Sequence, residues 1–149
     1  MLKGKRLILR EWREPDLPTL AAIRNDVELQ SSLMAMPRPN SIERVRQWLV
    51  DRTSREDMQF FVIASSDDDC VLGYVQVTQV DFSHGSGELG ICLARNAQGS
   101  GLAHECCDLL EGHLSRMLAL RKLTLKVLST NTRAISFYLR RGYREVGRF

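Results

Sequence analysis

What the chain lacks narrows it first. No apolar run approaches the roughly 20 residues that cross a bilayer as a helix, so no membrane span is expected. The four cysteines, Cys70, Cys92, Cys106 and Cys107, include no pair at zinc-ligand spacing, and no metal centre is expected. Cys106 and Cys107 are adjacent within a helical pattern, and all four read as small buried hydrophobes in a reducing compartment. No histidine or acid stands beside one of them in a pattern that would make it a nucleophile. The net charge is only +3, and aromatics are not interleaved with basic runs. That argues against a nucleic-acid binder. No linker, repeat or low-complexity tract interrupts the chain, so residues 1–149 read as one domain. Met1 to Arg6 is basic but leads into an alternating pattern, not a signal-peptide core, so the cytoplasm is the expected compartment.

The most informative stretch that is present runs from Gln98 through Gly99, Ser100, Gly101 and Leu102 to Ala103. It follows the apolar run Leu89 to Ala94. It opens a long helical pattern with Leu102, Ala103, Cys106, Leu109, Leu110, Leu114, Met117 and Leu118 on one side. A helix start carries unpaired N–H groups and a partial positive charge. Glycines let that backbone come close to an anion. The stretch therefore reads as a phosphate cradle, or as an ordinary strand-to-helix turn. No Gly-Lys-Ser/Thr follows, which excludes a Walker loop. No acidic residue stands some twenty positions on, where a dinucleotide fold would hold its ribose; position 123 is Leu.

Alternation over Arg6 to Arg10 predicts a first strand. Asp16 stands as a helix cap ahead of Leu17, Leu20, Ala21 and Ile23, and that helix should fray near Arg24 to Asp26. Val27 to Asn40 reads as a loop, with room for a helical turn. Ser41 caps a second helix over Ile42 to Arg52, where Trp48 spaces with Val45 and Leu49 as a core residue. Phe60–Ala64, Cys70–Val80 and Glu88–Ala94 follow as three antiparallel strands. After the long helix, Leu123–Leu128 alternates as a strand. Thr130 or Asn131 then caps a last helix that Gly142 closes, and Tyr143–Phe149 forms a short strand or frays. The order β-α-α-β-β-β-α-β-α-β predicts an α/β fold: a mixed, mostly antiparallel sheet flanked by helices, with one parallel pair around a crossover helix.

Two pieces of this order belong together. Gln98-x-x-Gly101-x-Ala103 opens a helix after a strand. Some thirty residues on comes Asn131-x-x-Ala134-x-x-Phe137-Tyr138-x-x-x-Gly142-Tyr143. The pair resembles the GNAT superfamily of acetyl-CoA-dependent N-acetyltransferases, and the resemblance covers nearly the whole chain. Arg6–Arg10, Arg24–Asp26 and Glu88–Ile91 are similar to the branch that acetylates ribosomal-protein N-termini. Members usually continue into a further hairpin and a seventh strand, which this sequence lacks. A second copy completing the sheet edge, as a homodimer, is the expected alternative to an open edge.

The resemblance implies roles for named residues. Backbone N–H groups of Gln98, Gly99, Ser100, Gly101, Leu102 and Ala103 would hold the pyrophosphate of acetyl-CoA. The strand edge of Ile91, Cys92 and Leu93 would pair with its pantetheine arm. Asn131 would hydrogen-bond the same arm or cap its helix, or do both. Tyr138 would protonate the leaving thiolate. Glu88, at the start of the central strand, would be the base that frees the amine, or else a structural carboxylate; His84 is the lesser candidate. Arg24, Asn25, Glu28, Met34 and Trp48 lie in the region that covers the acceptor in relatives, and the scarcity of acids there disfavours a polyamine. Two functions fit: an N-acetyltransferase acting on a primary amine (a protein N-terminus, an amino sugar or a small amine), or a non-catalytic acyl-CoA-binding module.

Overall fold

The computed structural model describes residues 1–33 and 37–148. A six-stranded sheet is built from β1 (Leu2–Lys3), β2 (Leu7–Arg10), β3 (Gln59–Ser65), β4 (Val71–Asp81), β5 (Ser86–Leu93) and β6 (Lys122–Thr124), in that spatial order. Neighbours are antiparallel up to β5, and β5 pairs with β6 in parallel. The helices are α1 (Leu17–Arg24), α2 (Val27–Ser32), α3 (Ile42–Ser54), α4 (Leu102–Leu118) and α5 (Thr132–Arg140).

Strand alternation divides the core into two layers. Leu7, Leu9, Val75, Val77 and Leu89 face Cys106, Cys107, Leu110 and Leu114 of α4 on one side of the sheet. Val62, Tyr74 and Cys92 face Leu17, Leu20 and Ile23 of α1 and Val45 and Leu49 of α3 on the other. The mixed, mostly antiparallel sheet with flanking helices is the predicted class.

Four details depart from the sequence reading. Residues 27–32 form a true helix, because the Asp26 side chain accepts from Leu29 N at 3.2 Å and Leu29 and Gln30 are buried. Asp16 does not cap α1; its carboxylate accepts from Arg13 N at 2.7 Å and from both Nη atoms of Arg10 at 2.8 and 3.0 Å. The strand expected over 123–128 is confined to Lys122–Thr124, because its partner β5 diverges beyond that point. Residues 143–148 form no strand, which is the second of the two alternatives read from the sequence and not a departure. Cys70 is exposed, whereas Cys92, Cys106 and Cys107 are buried as expected.

Arg10 and Asp16 are 3% and 5% exposed, so their pairing is a buried one. Removing one partner of such a pair leaves an uncompensated charge in the interior. Asp16→Ala is expected to lower unfolding free energy by about 3–5 kcal/mol, read by urea denaturation. A loss below about 1 kcal/mol would show that Asp69, which accepts from Arg10 Nε at 2.9 Å, is partner enough.

Candidate active site

The parallel pair β5–β6 begins tightly and then parts. Gly85 O accepts from Arg121 N at 2.7 Å and Lys122 N at 3.0 Å, which pins the two chains together at this end. Pairing continues through Gly87↔Leu123 and ends at Glu88↔Thr124, while β5 runs on to Leu93. Leu125, Lys126 and Val127 turn away, and a cleft of about 740 Å³ opens between the strands.

The strand edge facing this gap follows from the ladder. Ala94 N donates to Leu72 O at 2.8 Å, so even-numbered residues point their polar groups at β4. Leu93 O instead accepts from Gln98 Nε2 at 3.1 Å, at the far side. The N–H and C=O of Ile91 and the C=O of Leu89 thus face the cleft, as a strand edge awaiting a partner. The backbone of Cys92, counted with Ile91 and Leu93 in the sequence reading, is committed to β4. Its thiol, pushed up to about 11 by burial, sits on the α1–α3 side.

Beyond Leu93 lies the glycine turn. Gly99 and Gly101 adopt φ of 85° and 82°, a left-handed conformation that L side chains resist. Gly101 stands at the N-cap of α4 without a side-chain cap. Among the described residues, no protein group accepts from the amides of 99 to 103. Two guanidinium groups flank the turn: a Cβ at Gly99 would lie 3.4 Å from Arg133 Nη2, and one at Gly101 would lie 3.3 Å from Arg6 Nη2. Arg6 also donates to Ser100 O at 2.6 Å, and Arg133 to Gln98 Oε1 at 3.3 Å. Unpaired amides, a helix start and two cations make a receptor for a polyanion.

Tyr138, on α5, lines the cleft from the α4 side, held edge-on by Phe137 at 5.0 Å and Tyr143 at 5.5 Å between ring centres. Burial, with the neighbouring Cys107 and Cys106 thiols, pushes its phenol well above the ordinary tyrosine range. Its hydroxyl makes no hydrogen bond among the described residues and keeps its proton at neutral pH. Glu88 lines the cleft from β5, where Oε2 accepts from Thr78 Oγ1 at 3.5 Å and Oε1 lies 3.8 Å from Lys126 Nζ. Asn131 caps α5 by accepting from Ala134 N at 3.2 Å and also reaches Ser32 O on α2 at 3.3 Å.

On the opposite side of the sheet the cleft ends against Arg24, Trp48, Arg52, Tyr74 and Gln76. Gly90, level with Gln76 in the ladder, leaves this wall open, since an added Cβ would touch Gln76 Cγ at 3.5 Å. Trp48 packs on Phe60 and Tyr74 but also forms the cleft wall, so it is more than the core residue its spacing suggested.

The cleft thus gathers Arg24, Trp48, Glu88, Ile91, Cys92, Leu93, Gln98, Gly99, Gly101, Ala103, Asn131 and Tyr138 from the sequence reading. Ser100 and Leu102 belong to the turn without lining the cleft. Asn25 is elsewhere: it pairs reciprocally with Asn40, donating to its carbonyl at 3.0 Å and accepting from its amide at 2.8 Å. Glu28 is also outside, exposed and paired with Arg95. His84 sits on an exposed hairpin turn against Asp81 at 2.7 Å, outside the cleft wall. Met34 lies outside the described residues. Other cleft residues escaped the sequence reading, Arg52, Gln76, His104 and Arg133 among them. Arg52 and Gln76 sit on separate elements, and only the fold joins them, with Nη1 3.3 Å from Oε1. Arg133 had one signal, its place two residues after the Asn131 cap.

Amides, strand edge and cleft together define a binding site for a long carrier with an anionic head. The chain belongs to the acetyltransferase (GNAT) domain family, whose profile matches residues 6–144. It is accordingly an acetyl-CoA-dependent N-acyltransferase. Its fold is similar to that of spermidine N-acetyltransferase from Vibrio cholerae in complex with CoA and spermine, with a TM-score of 0.87 at 23% identity. That match covers 97% of this chain and 84% of the other. A dodecameric structure of the Vibrio enzyme in an intermediate state gives a TM-score of 0.78 at 23% identity, covering 97% and 82%. No curated protein matches the chain. Among the described residues, no helix is long and apolar enough to cross a membrane, and no cluster of side chains suits a metal ion.

Proposed function

We propose that residues 1–149 form one acetyltransferase domain that moves an acetyl group from acetyl-CoA to a primary amine by direct attack in a ternary complex. The observation that carries this is the continuity of the cleft from the unpaired amides of 99–103, past the free edge of Leu89 and Ile91, to Tyr138 and Glu88. The donor brings an activated thioester acyl group. The turn amides, with Arg133 and Arg6, would hold its diphosphate. The edge of β5 would take its amide-bearing arm as an added strand, with Asn131 at the mouth.

An alkyl amine is mostly protonated near neutral pH and cannot attack until it loses a proton. Glu88 is the sole carboxylate of the cleft among its described residues, and it would accept that proton directly or through water. Tyr138 Oη would donate its proton to the departing sulfur. Its burial keeps that proton available across the physiological range. A non-catalytic acyl-CoA binder would keep the cradle without needing a half-buried phenol whose hydroxyl has no partner among the described residues; thiol release with a panel of amines separates the two readings.

The base assignment has its own test. A base works only when deprotonated, so kcat/KM should fall on the acid side of its profile. Glu88→Gln is expected to lower kcat by about 10²-fold or more and to remove that acid limb. Unchanged pH–rate profiles would dismiss Glu88.

For the acceptor, the likeness to the ribosomal-protein branch favours a protein N-terminus, and the Vibrio fold neighbours point to polyamines. An amino sugar or small amine fits the same chemistry. A second copy pairing along the outer edge of β6, unpaired among the described residues, would complete the sheet as a homodimer. Analytical ultracentrifugation giving a monomer at every concentration would remove that element.

A further inference from the structure

The acceptor end of the cleft has an unusual charge balance. Arg24, Arg52, Lys126, Arg133 and Arg140 line the whole cleft against the lone carboxylate of Glu88. Arg133 stands at the glycine turn, and Lys126 lies 3.8 Å from Glu88. Arg24 and Arg52 serve neither. Arg24 lies over one face of Trp48, its guanidinium carbon 4.3 Å from the ring centre, and Arg52 is 5.1 Å from the same ring.

The Nε atoms of Arg24 and Arg52 and the Nε1 of Trp48 are buried and have no hydrogen-bond partner. A second hollow on the outer side of Trp48 shares Arg24 and adds Arg38 and Arg44, with Asn40 and Gln47 and no acid among its described lining residues. Among the described residues, none of these four arginines has a carboxylate within salt-bridge distance. Burial and the neighbouring Arg24 charge push Arg52 below the usual arginine range. A buried donor without a partner is costly, and two adjacent unpaired guanidinium groups are more so.

We propose that the acceptor is an amine that also carries an anionic group, a carboxylate or a phosphate, which Arg24 and Arg52 hold beside Trp48. This rests on the transfer reading above and names its substrate class. An anion here would pair the orphaned nitrogens and relieve the repulsion between the two guanidinium groups. It would also fix the amine relative to Glu88. Arg52 donates to Gln76, which is level with Gly90; Glu88 is two residues along the same face of β5. A polycation meets the opposite field, because among the described lining residues Glu88 alone stands against four arginines. Arg38 and Arg44 would add long-range attraction at the entrance.

The test compares acceptors that differ only in the anion, read by thiol release from acetyl-CoA. O-phosphoethanolamine is set against ethanolamine, glutamate against glutamine, and spermidine serves as the polycation. The anionic member of at least one pair should exceed its neutral partner by about 10–100-fold in kcat/KM, with spermidine lower still. Arg52→Gln should shrink that ratio about tenfold or more, and the exposed Arg44→Gln should shrink it less. Thermal stabilisation by CoA should persist in both variants, which shows that they fold. Neutral acceptors or spermidine matching the anionic ones would overturn the proposal while leaving acetyl transfer intact. So would a preference that survives Arg52→Gln. If no amine releases thiol, calorimetric titration with the same pairs still decides: binding of the anionic members alone sustains the charge assignment, and no binding of either overturns it.

Discussion

Tyr138→Phe is expected to lower kcat by about 10²–10⁴-fold while changing acetyl-CoA affinity by no more than a few-fold. The substitution removes one hydroxyl, with no change in the ring that packs between Phe137 and Tyr143. That hydroxyl makes no hydrogen bond among the described residues, so no buried partner is orphaned and the fold should lose little. Its proton is retained because the half-buried phenol packs among α4 and α5 side chains. An interaction made only as the sulfur departs appears in kcat, not in ground-state binding. Stopped-assay kinetics with a saturating amine and varied acetyl-CoA check this. A parallel loss in kcat and affinity would make Tyr138 a packing residue of the binding site, and unchanged kcat would leave the proton to water.

The second large effect is expected at the other end of the cleft. Gly101→Val should raise the KM for acetyl-CoA by about 10–100-fold, with kcat at saturation affected far less. At φ 82° a β-branched side chain is strained, and its Cβ would press on Arg6 Nη2 at 3.3 Å. The turn would relax toward negative φ, which rotates the amides of 101 and 102 away from their shared concavity. Arg133→Gln provides the comparison: it removes one charge without touching the backbone, and a loss of roughly tenfold is expected. Circular dichroism should show α4 intact in both variants. If Gly101→Val binds acetyl-CoA normally, the turn is a helix start and nothing more.

The two ends of the site were unequally legible in the sequence. The glycine turn and the helix after it declare themselves locally, through Gly99, Gly101 and the spacing of Cys106, Leu110 and Leu114. The Asn131–Tyr138 segment does so as well, since cap and aromatic lie on one short helix. The sheet order was readable for the same reason: β3, β4 and β5 are consecutive and antiparallel, joined by polar turns. The acceptor wall was not. Arg52 lies on α3 and Gln76 on β4, twenty-four positions apart, and each looks like a solvent-facing residue in its own pattern. Trp48 has core spacing because it is partly core, and the cation at its face comes from α1. Asn25 misled in the opposite direction, since a polar residue at a helix end looks available until Asn40 is found to satisfy it. The early end of β6 was hidden because Leu123–Leu128 alternates throughout; only the divergence from β5 interrupts its pairing.

That divergence is what turns a sheet into a site. A parallel pair held by Gly85 at one end and released after Glu88 leaves two odd-numbered residues of β5 with unused backbone groups. The gap places the two titratable groups on opposite walls, Tyr138 from α5 and Glu88 from β5. On the proposed reading the acceptor would approach from the α1–α3 side and the donor from the α4–α5 side.

The central claim is that the turn entering α4 seats the donor's diphosphate and so aims its sulfur at Tyr138. A crystal structure of the protein with CoA tests it most directly. The diphosphate oxygens should lie within hydrogen-bond distance of the amides of residues 99–103, the arm should lie along Leu89 and Ile91, and the sulfur should sit beside Tyr138 Oη. A diphosphate bound away from that turn, or a sulfur on the far side of the sheet from the phenol, would contradict the account.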